Sequence, residues 1–304
     1  MRIPILAALA FAAFGAFPSA ASARCLLPAA GETARVDIAG AGTGAIVHTP
    51  RGYRDGGTPV PLVFLLHGSG GTGAAMLRDS KLAETSDAQG FILLAPDAGI
   101  KLGAGFAWNI PGVPTVAGEL PSPQDRDDVA FIGALADALV QGGCADGERQ
   151  YVTGLSGGGR MASWLGCVAS DRFAAIAPVV GLRAGRAKPE DESAVDPETC
   201  QPNRAMPVMA FAGLKDNTNP LAGGQGMRWG YSMHAAEQRW AQLNRCMASP
   251  TTGWVARGIY EERYGDCADG SEVAARIDVN GAHSWVVDND AMWTFFARHR
   301  RSGN

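Results

Sequence analysis

The stretch Gln150-Tyr-Val-Thr-Gly-Leu-Ser156-Gly-Gly-Gly-Arg-Met161 decides how the chain folds. Its first four residues have the pattern of a strand, and a helical pattern begins at Arg160 and runs to residue 168. The residues between them contain the pattern G-x-S-x-G, in which small side chains permit a turn too sharp for bulkier residues. This order predicts a strand–turn–helix unit that lifts the hydroxyl group of Ser156 above the edge of a sheet.

Short apolar runs alternate with helical patterns on both sides of this stretch. We predict strands in residues 45–48, 61–66, 91–96, 150–153, 173–180, 207–212 and 272–279. We predict helices in residues 75–89, 127–141, 160–168, 233–244 and 291–300. Continuous apolar strands are typical of a parallel sheet that helices cover on both faces. The alternation therefore predicts one α/β domain, residues 24–304, with a mostly parallel central sheet and helices on both of its faces.

Three further segments have a less regular pattern. Residues 45–48 run into a turn and are interpreted as an edge strand. Residues 97–122 are rich in glycine and proline, which is typical of a long loop. Residues 181–205 carry charges and prolines and are expected to form a surface excursion.

The composition limits the class of protein. Of the 304 residues, 46% are hydrophobic and 18% are charged, which is ordinary for a globular domain and excludes disordered, collagen-like and coiled-coil chains. The formal net charge is −4, and no stripe of lysine and arginine is present, so we expect no nucleic-acid partner.

The N-terminus has the pattern of a secretory signal peptide. Arg2 precedes an apolar stretch at residues 5–17, Pro18 interrupts it, and Ala21-Ser-Ala23 is a small-residue cleavage site. A buried first helix is the alternative. We predict that residues 1–23 are removed after Ala23, that the protein is secreted or periplasmic, and that it has no membrane span.

The mature chain has six cysteines, an even number that suggests disulfides in an oxidising compartment. They are Cys25, Cys144, Cys167, Cys200, Cys246 and Cys267. Six cysteines permit 15 pairings, and their spacing does not choose among them. No C-x-x-C motif or Cys/His cluster predicts a metal site.

A serine hydroxyl becomes a good nucleophile when a neighbouring base accepts its proton. Among the five histidines, His283 lies in a loop between the last predicted strand and the last predicted helix. In α/β hydrolases the base follows the nucleophile and the acid in chain order, so we predict His283 as the base. The other histidines lie in a strand, at the end of a strand, in a helix and in a basic C-terminal stretch: His48, His67, His234 and His299.

The acid that orients the base is expected at the carboxyl end of a strand. Asp216 meets this condition because it follows the apolar residues 207–212 after a short turn. Its carboxylate would fix the imidazole tautomer and stabilise the imidazolium. Three other acids remain alternatives, although none follows an apolar strand as directly: Asp266, Asp269 and Asp288.

The oxyanion formed during acyl transfer needs hydrogen-bond donors. We predict the backbone N–H of Gly157 as one donor, because it follows the nucleophile. The glycine-rich residues after the second predicted strand supply the other, with Ser69 as first choice and Gly70 as second. We expect acyl transfer in two steps, in which an ester of Ser156 forms and is then hydrolysed. This reaction needs no metal and no organic cofactor.

Two tryptophans and one arginine flank these residues. Trp108 and Trp285 are candidate substrate-binding residues, since aromatic walls suit an ester, and core packing is the alternative for both. Arg160 is expected to form an ion pair on the helix surface. Contact with an anionic group of a substrate is the alternative.

Four segments resemble the esterase family of polyhydroxybutyrate depolymerases, which also contains secreted feruloyl and acetylxylan esterases. They are His67-Gly-Ser-Gly-Gly71, Tyr151-Val-Thr-Gly-Leu-Ser156-Gly-Gly-Gly-Arg-Met161, Asp171-Arg-Phe-Ala-Ala-Ile-Ala-Pro-Val-Val-Gly181 and His283-Ser-Trp285. The resemblance extends over roughly residues 45–297 and implies the α/β-hydrolase fold with a Ser156–Asp216–His283 triad. It also points to the pairs Cys246–Cys267 and Cys167–Cys200, which leaves Cys25–Cys144.

Two positions differ from the family pattern. The family often has cysteine where this chain has Ser69, and usually has proline where this chain has Val286. Neither difference removes a catalytic atom, but both leave the substrate open.

The residues and the resemblance predict a secreted serine esterase. Its expected substrates are hydroxyalkanoate oligoesters or polyesters, or feruloyl or acetyl esters of plant polysaccharide. A secreted serine peptidase or acyltransferase on the same scaffold is one alternative, and a non-catalytic binding protein is another.

Overall fold

The computed structural model describes residues 26–38, 44–224 and 226–301, so the predicted signal peptide lies outside the described residues. The strands are β1 (Thr33–Asp37), β2 (Gly44–His48), β3 (Val60–Leu66), β4 (Ile92–Pro96), β5 (Ile100–Leu102), β6 (Gly105–Ala107), β7 (Ala145–Leu155), β8 (Ala175–Val179), β9 (Ala187–Lys188), β10 (Asp191–Val195), β11 (Val208–Gly213), β12 (Thr251–Ala256), β13 (Ile259–Tyr264) and β14 (Val273–Asp278). The helices are α1 (Gly73–Ser80), α2 (Leu82–Gln89), α3 (Asp128–Gln141), α4 (Gly157–Val168), α5 (Met233–Leu243) and α6 (Asn289–Ala297).

One 10-stranded sheet organises the molecule, in the order β1-β2-β4-β3-β7-β8-β11-β14-β13-β12. The central strands are parallel to their neighbours and are, in spatial order, β4, β3, β7, β8, β11 and β14. The outer strands pair antiparallel at both ends of the sheet. The mostly parallel sheet predicted from the sequence is confirmed.

Helices cover both faces of this sheet, as β3 shows. Because neighbouring side chains of a strand point to opposite faces, Leu62, Phe64 and Leu66 pack in one apolar cluster, while Val63 and Leu65 pack in another. The first cluster also contains buried side chains of α3, α4 and α5, and the second contains those of α1, α2 and α6. This two-sided burial explains why β3 and β4 are apolar throughout.

Two sequence predictions about the first half of the chain are wrong in detail. The edge strand is β1, which pairs with the outer side of β2, so residues 45–48 do not form the edge. Residues 75–89 form two helices, because Lys81 takes a left-handed φ of 55° between them. The loop at residues 97–122 is present, but it contains the small hairpin β5–β6.

Two segments in the second half also differ from expectation. The excursion at residues 181–205 begins with buried residues, including Leu182 and Arg183, and contains the two-stranded sheet β9–β10. The strands β12 and β13 extend the sheet beyond β14, although no strand was predicted there. Their side chains are mostly exposed or half-buried, which leaves no continuous apolar run in the sequence.

The structure contains the disulfides Cys167–Cys200 and Cys246–Cys267, the two pairs that the family resemblance implies. The third pair involves Cys25, which lies outside the described residues, so Cys25–Cys144 stays a prediction. Within the described part of the chain, no helix combines the length and apolarity that crossing a membrane requires.

Candidate active site

Ser156 occupies a strained turn between β7 and α4. Its φ of 55° and ψ of −110° are unusual for a residue with a side chain, and such strain clusters at functional sites. The backbone N–H of Ser156 donates to the carbonyl of Val179 at 2.9 Å. Gly158 approaches β3 so closely that a Cβ there would lie 2.2 Å from the carbonyl oxygen of Leu66. The turn therefore requires glycine, as the sequence pattern predicts.

His283 and Asp216 form a hydrogen-bonded pair, with Nδ1 of the imidazole 2.8 Å from Oδ2 of the carboxylate. The Asp216 side chain is 1% exposed and that of His283 is 25% exposed. The other carboxylate oxygen, Oδ1, accepts the backbone N–H groups of Thr218 and Asn219, each at 2.8 Å. With Nδ1–H donated to the carboxylate, Nε2 of the neutral imidazole is left as a proton acceptor.

The loops that carry this pair are bonded to each other and to the serine turn. Leu214 N–H donates to the Asp278 carbonyl, and Lys215 N–H donates to the Gly281 carbonyl. The side-chain amide of Asn219 donates to the Val180 carbonyl at 2.6 Å, next to the residue that accepts the Ser156 N–H. The structure thus brings Ser156, Asp216 and His283 to one edge of the sheet, where β7, β11 and β14 end.

The alternative acids do not pair with His283. Asp288 caps α6 by accepting the backbone N–H groups of Asp290 and Ala291. Asp269 lies in a short turn next to the Cys246–Cys267 disulfide.

The backbone of Ser69 lies beside Gly157, the residue that follows Ser156. A Cβ placed on Gly157 would lie 3.0 Å from the backbone nitrogen of Ser69. Gly157 is the first residue of α4, where the N–H has no partner within the helix. The N–H of Gly70 donates to the Phe106 carbonyl at 2.8 Å, so it is already used. In the described part of the chain no acceptor pairs with Ser69 N–H, which favours Ser69 over Gly70 as a donor.

His67 and Trp108 support the loop that carries Ser69. Nδ1 of the buried His67 imidazole donates to the Gly68 carbonyl, and Nε2 accepts the backbone N–H of Ala98. Burial lowers the pKa of His67, in agreement with this neutral tautomer. Trp108 is 5% exposed and donates its indole N–H to the His67 carbonyl at 2.8 Å. Its N–H is therefore engaged by the protein and not free for a substrate.

Trp285 is half-buried, and its indole N–H donates to the side chain of Asn289 at 3.0 Å. It packs at the margin of the apolar cluster that contains α6. Its role as a wall of a substrate pocket stays a prediction.

Some residues of the site are not predicted from the sequence. Asn219 was not singled out, although the turn Asn217-Thr-Asn-Pro220 after Asp216 was a signal for a capped loop. The surface ion pair expected for Arg160 is wrong, because Arg160 is only 8% exposed. No carboxylate pairs with it among the residues that the structure describes.

The parallel sheet, the strained serine turn and the Asp216–His283 pair at the carboxyl edge of the sheet together define an α/β hydrolase. Among such proteins, the chain belongs to the family described as Esterase PHB depolymerase, whose model matches residues 52–224. Feruloyl esterase B from Piromyces equi is 28% identical over 257 residues, which is 82% of this chain and 44% of that protein. NocK from Nocardia uniformis subsp. tsuyamanensis is 31% identical over 163 residues, 54% of this chain and 42% of that protein. The chain spans less than half the length of these curated relatives.

Solved structures show the same fold at low sequence identity. The acetyl xylan esterase from Aspergillus awamori matches with a TM-score of 0.61 at 14% identity, over 88% of this chain and 99% of that one. A ferulic acid esterase matches with a TM-score of 0.54 at 17% identity, over 88% of this chain and 97% of that one. These likenesses confirm the α/β-hydrolase fold.

Proposed function

We propose that the protein is a serine carboxylic ester hydrolase that acts through an acyl-enzyme. The observation that carries this proposal is the Asp216–His283 pair at 2.8 Å, at the sheet edge that also presents the strained Ser156. Membership of an esterase family supports it independently.

In the proposed mechanism, the Ser156 oxygen attacks the ester carbonyl while Nε2 of His283 accepts the hydroxyl proton. Asp216 stabilises the imidazolium, and the N–H groups of Ser69 and Gly157 bind the oxyanion. His283 then donates the proton to the departing alcohol. In the second step His283 accepts a proton from water, the hydroxide attacks the acyl-enzyme, and the acid is released as Ser156 regains its proton. These steps use protein groups and water alone.

The proposed substrates are hydroxyalkanoate oligoesters or polyesters, or feruloyl or acetyl esters of plant polysaccharide. The family description supports the first class, and the names of the relatives in sequence and structure support the second.

We also propose that the protein is exported and cleaved after Ala23. The two disulfides support an oxidising compartment. Expression of the full chain followed by mass determination of the product tests this, because retention of residues 1–23 would contradict it.

Labelling with a fluorophosphonate probe and hydrolysis of p-nitrophenyl acetate test the proposed activity. We expect both in the wild-type protein and neither in Ser156→Ala, while the matched control Ser193→Ala, at an exposed serine, retains both. An unlabelled wild-type protein, or labelling that survives Ser156→Ala, would contradict the proposal. Faster turnover of peptides than of esters would instead support a peptidase, and acyl transfer to added alcohols that outpaces hydrolysis would support an acyltransferase.

A further inference from the structure

A small pocket with a cavity volume of about 20 Å³ lies beside α4, and four of the side chains that line it are arginines. The arginines are Arg160, Arg183, Arg186 and Arg228, and we refer to this site as the arginine pocket. Its other lining residues are Ile110, Val113, Trp164, Gly185 and Met227. Among these described lining residues there is no acidic side chain to offset the positive charge.

Arg183 is one of two buried arginines in this pocket. It is only 6% exposed, and its guanidinium stacks on the ring of Trp229, 3.4 Å from the ring centroid, and lies 4.3 Å from that of Tyr231. One guanidinium nitrogen donates to the Tyr231 carbonyl. The other two nitrogens, Nε and Nη2, are buried and have no hydrogen-bond partner in the described structure. Buried donors without acceptors are costly, so an acceptor supplied by a ligand would stabilise this guanidinium.

Arg160 adds a second buried guanidinium. Burial and, to a smaller extent, the positive charges of Arg228 and Arg183 together lower the pKa of Arg160 to about 9. Burial likewise lowers the pKa of Arg183 to about 10. Both groups remain protonated at neutral pH, so the pocket holds uncompensated positive charge that an anion would stabilise.

Other arginines of the chain show what is missing here. Arg172 pairs with Asp137 at 2.5 Å, and Arg276 pairs with Glu261 at 2.7 Å. In the arginine pocket, by contrast, no carboxylate of the described residues lies within ion-pair distance of any of the four guanidinium groups. The positive charge of the pocket is therefore not offset by an ion pair within the described residues.

The arginine pocket adjoins the serine turn. Arg160 N–H donates to the Ser156 carbonyl, so the two residues are one helical turn apart, about 6 Å along α4. Arg183 lies two residues after Gly181, where a Cβ would lie 2.6 Å from the Ser156 carbonyl oxygen. The backbone segments that carry Arg160 and Arg183 thus lie next to the backbone of Ser156.

We propose that the arginine pocket binds a carboxylate carried by the ester substrate, and that the enzyme therefore prefers acidic esters. The planar guanidinium forks suit a carboxylate, and the apolar side chains of Ile110, Val113 and Met227 suit the carbon chain of an organic acid. Short oligomers of 3-hydroxy acids, which end in a free carboxylate, belong to this class, whereas methyl ferulate has no such group. The assignment of the substrate rests on the proposed function, but anion binding can be measured separately.

Binding to the Ser156→Ala protein tests the pocket without turnover. We expect the 3-hydroxybutyrate dimer to bind at least tenfold more tightly than its methyl ester in calorimetric titration, since a charge-assisted hydrogen bond contributes about 1.5–3 kcal/mol. Adding Arg183→Gln or Arg228→Gln should weaken binding of the acid by about 10- to 100-fold. Adding Arg257→Gln, which removes the same charge from an exposed position, should leave it unchanged.

Arg228 is half-buried at the pocket, so its variant tests the proposal even if the substitution of buried Arg183 prevents folding. Absence of binding by the acid, equal affinity for acid and methyl ester, or pocket variants that bind like the Arg257→Gln control would each overturn the proposal. Hydrolysis of p-nitrophenyl acetate by the wild-type protein reports the proposed function separately. Selective acid binding without this hydrolysis would support the pocket and reject the ester hydrolase.

Discussion

Oδ2 of Asp216 lies 2.8 Å from Nδ1 of His283, while Oδ1 of the same carboxylate is held by two backbone N–H groups of its own loop. One oxygen therefore fixes the orientation of the carboxylate and the other fixes the orientation of the imidazole. Because the Asp216 side chain is 1% exposed, water does not compete effectively for either contact.

The Asp216→Asn variant should reduce kcat for p-nitrophenyl acetate by roughly 1,000- to 10,000-fold, because an amide no longer enforces the tautomer with Nε2 free. The matched control is Asp269→Asn, at a positive φ of 56° that asparagine tolerates, and we expect it to retain wild-type activity. An Asp216→Asn enzyme within tenfold of the wild-type rate would contradict the assigned role.

The Trp108→Phe variant should lower kcat by about tenfold or more. It removes the indole N–H that holds the His67 carbonyl, and small displacements of the neighbouring Ser69 donor weaken oxyanion binding. Trp254→Phe, at a 65% exposed tryptophan, is the matched control and should behave as wild type. An effect confined to KM would instead support the substrate-contact role that the sequence suggested for Trp108.

Removal of the Cys167–Cys200 disulfide by double substitution to alanine should lower the free energy of unfolding by about 3–4 kcal/mol, from the loop-closure entropy. The pair is separated by 33 residues and Cys246–Cys267 by 21, so the corresponding loss for the second pair should be similar. Denaturant titration of both double variants measures these losses. A loss well below 1 kcal/mol for either pair would contradict this expectation.

The Glu237→Gln variant should change how stability depends on pH. Burial, with a smaller contribution from Glu262, raises the pKa of Glu237 to about 8. His234 also faces it, at 3.8 Å. The folded protein therefore holds this proton more tightly than the unfolded chain, and the stabilisation is complete below about pH 4.5 and is lost as the pH rises towards 8.

Glutamine cannot ionise, so Tm of Glu237→Gln should fall less than that of the wild type between pH 5 and pH 8.5. The exposed Glu198→Gln variant serves as the control. Tm is measured against pH for both proteins. If the two curves run parallel over this range, the expected contribution of Glu237 is excluded.

The sequence predicts the central strands and the serine turn because their signals are local. An apolar run, four glycines around Ser156 and a helical pattern follow one another without interruption. The positions of Asp216 and His283 at the ends of strands could be predicted for the same reason, since each residue follows a strand.

The remaining features depend on residues that are distant in the chain. Strands β12 and β13 lack an apolar run because their side chains are largely exposed, so only pairing with β14 identifies them. The arginine pocket joins α4 to three separate loops, at residues 110–113, 183–186 and 227–228, and its arginines lie together only in the folded chain. Arg160 is buried, and residues of these loops line the pocket together with it.

The hydrogen bonds that join Leu214 to Asp278 and Lys215 to Gly281 have a consequence for engineering. These two bonds hold together the loops that carry Asp216 and His283, close to the ends of β11 and β14. Met227 and Arg228 of the arginine pocket lie in a later stretch of the connection from β11 to α5. On the roles proposed for these residues, selectivity is altered by exchanging the stretch around Met227 and Arg228, while the Asp216–His283 pair is kept unchanged.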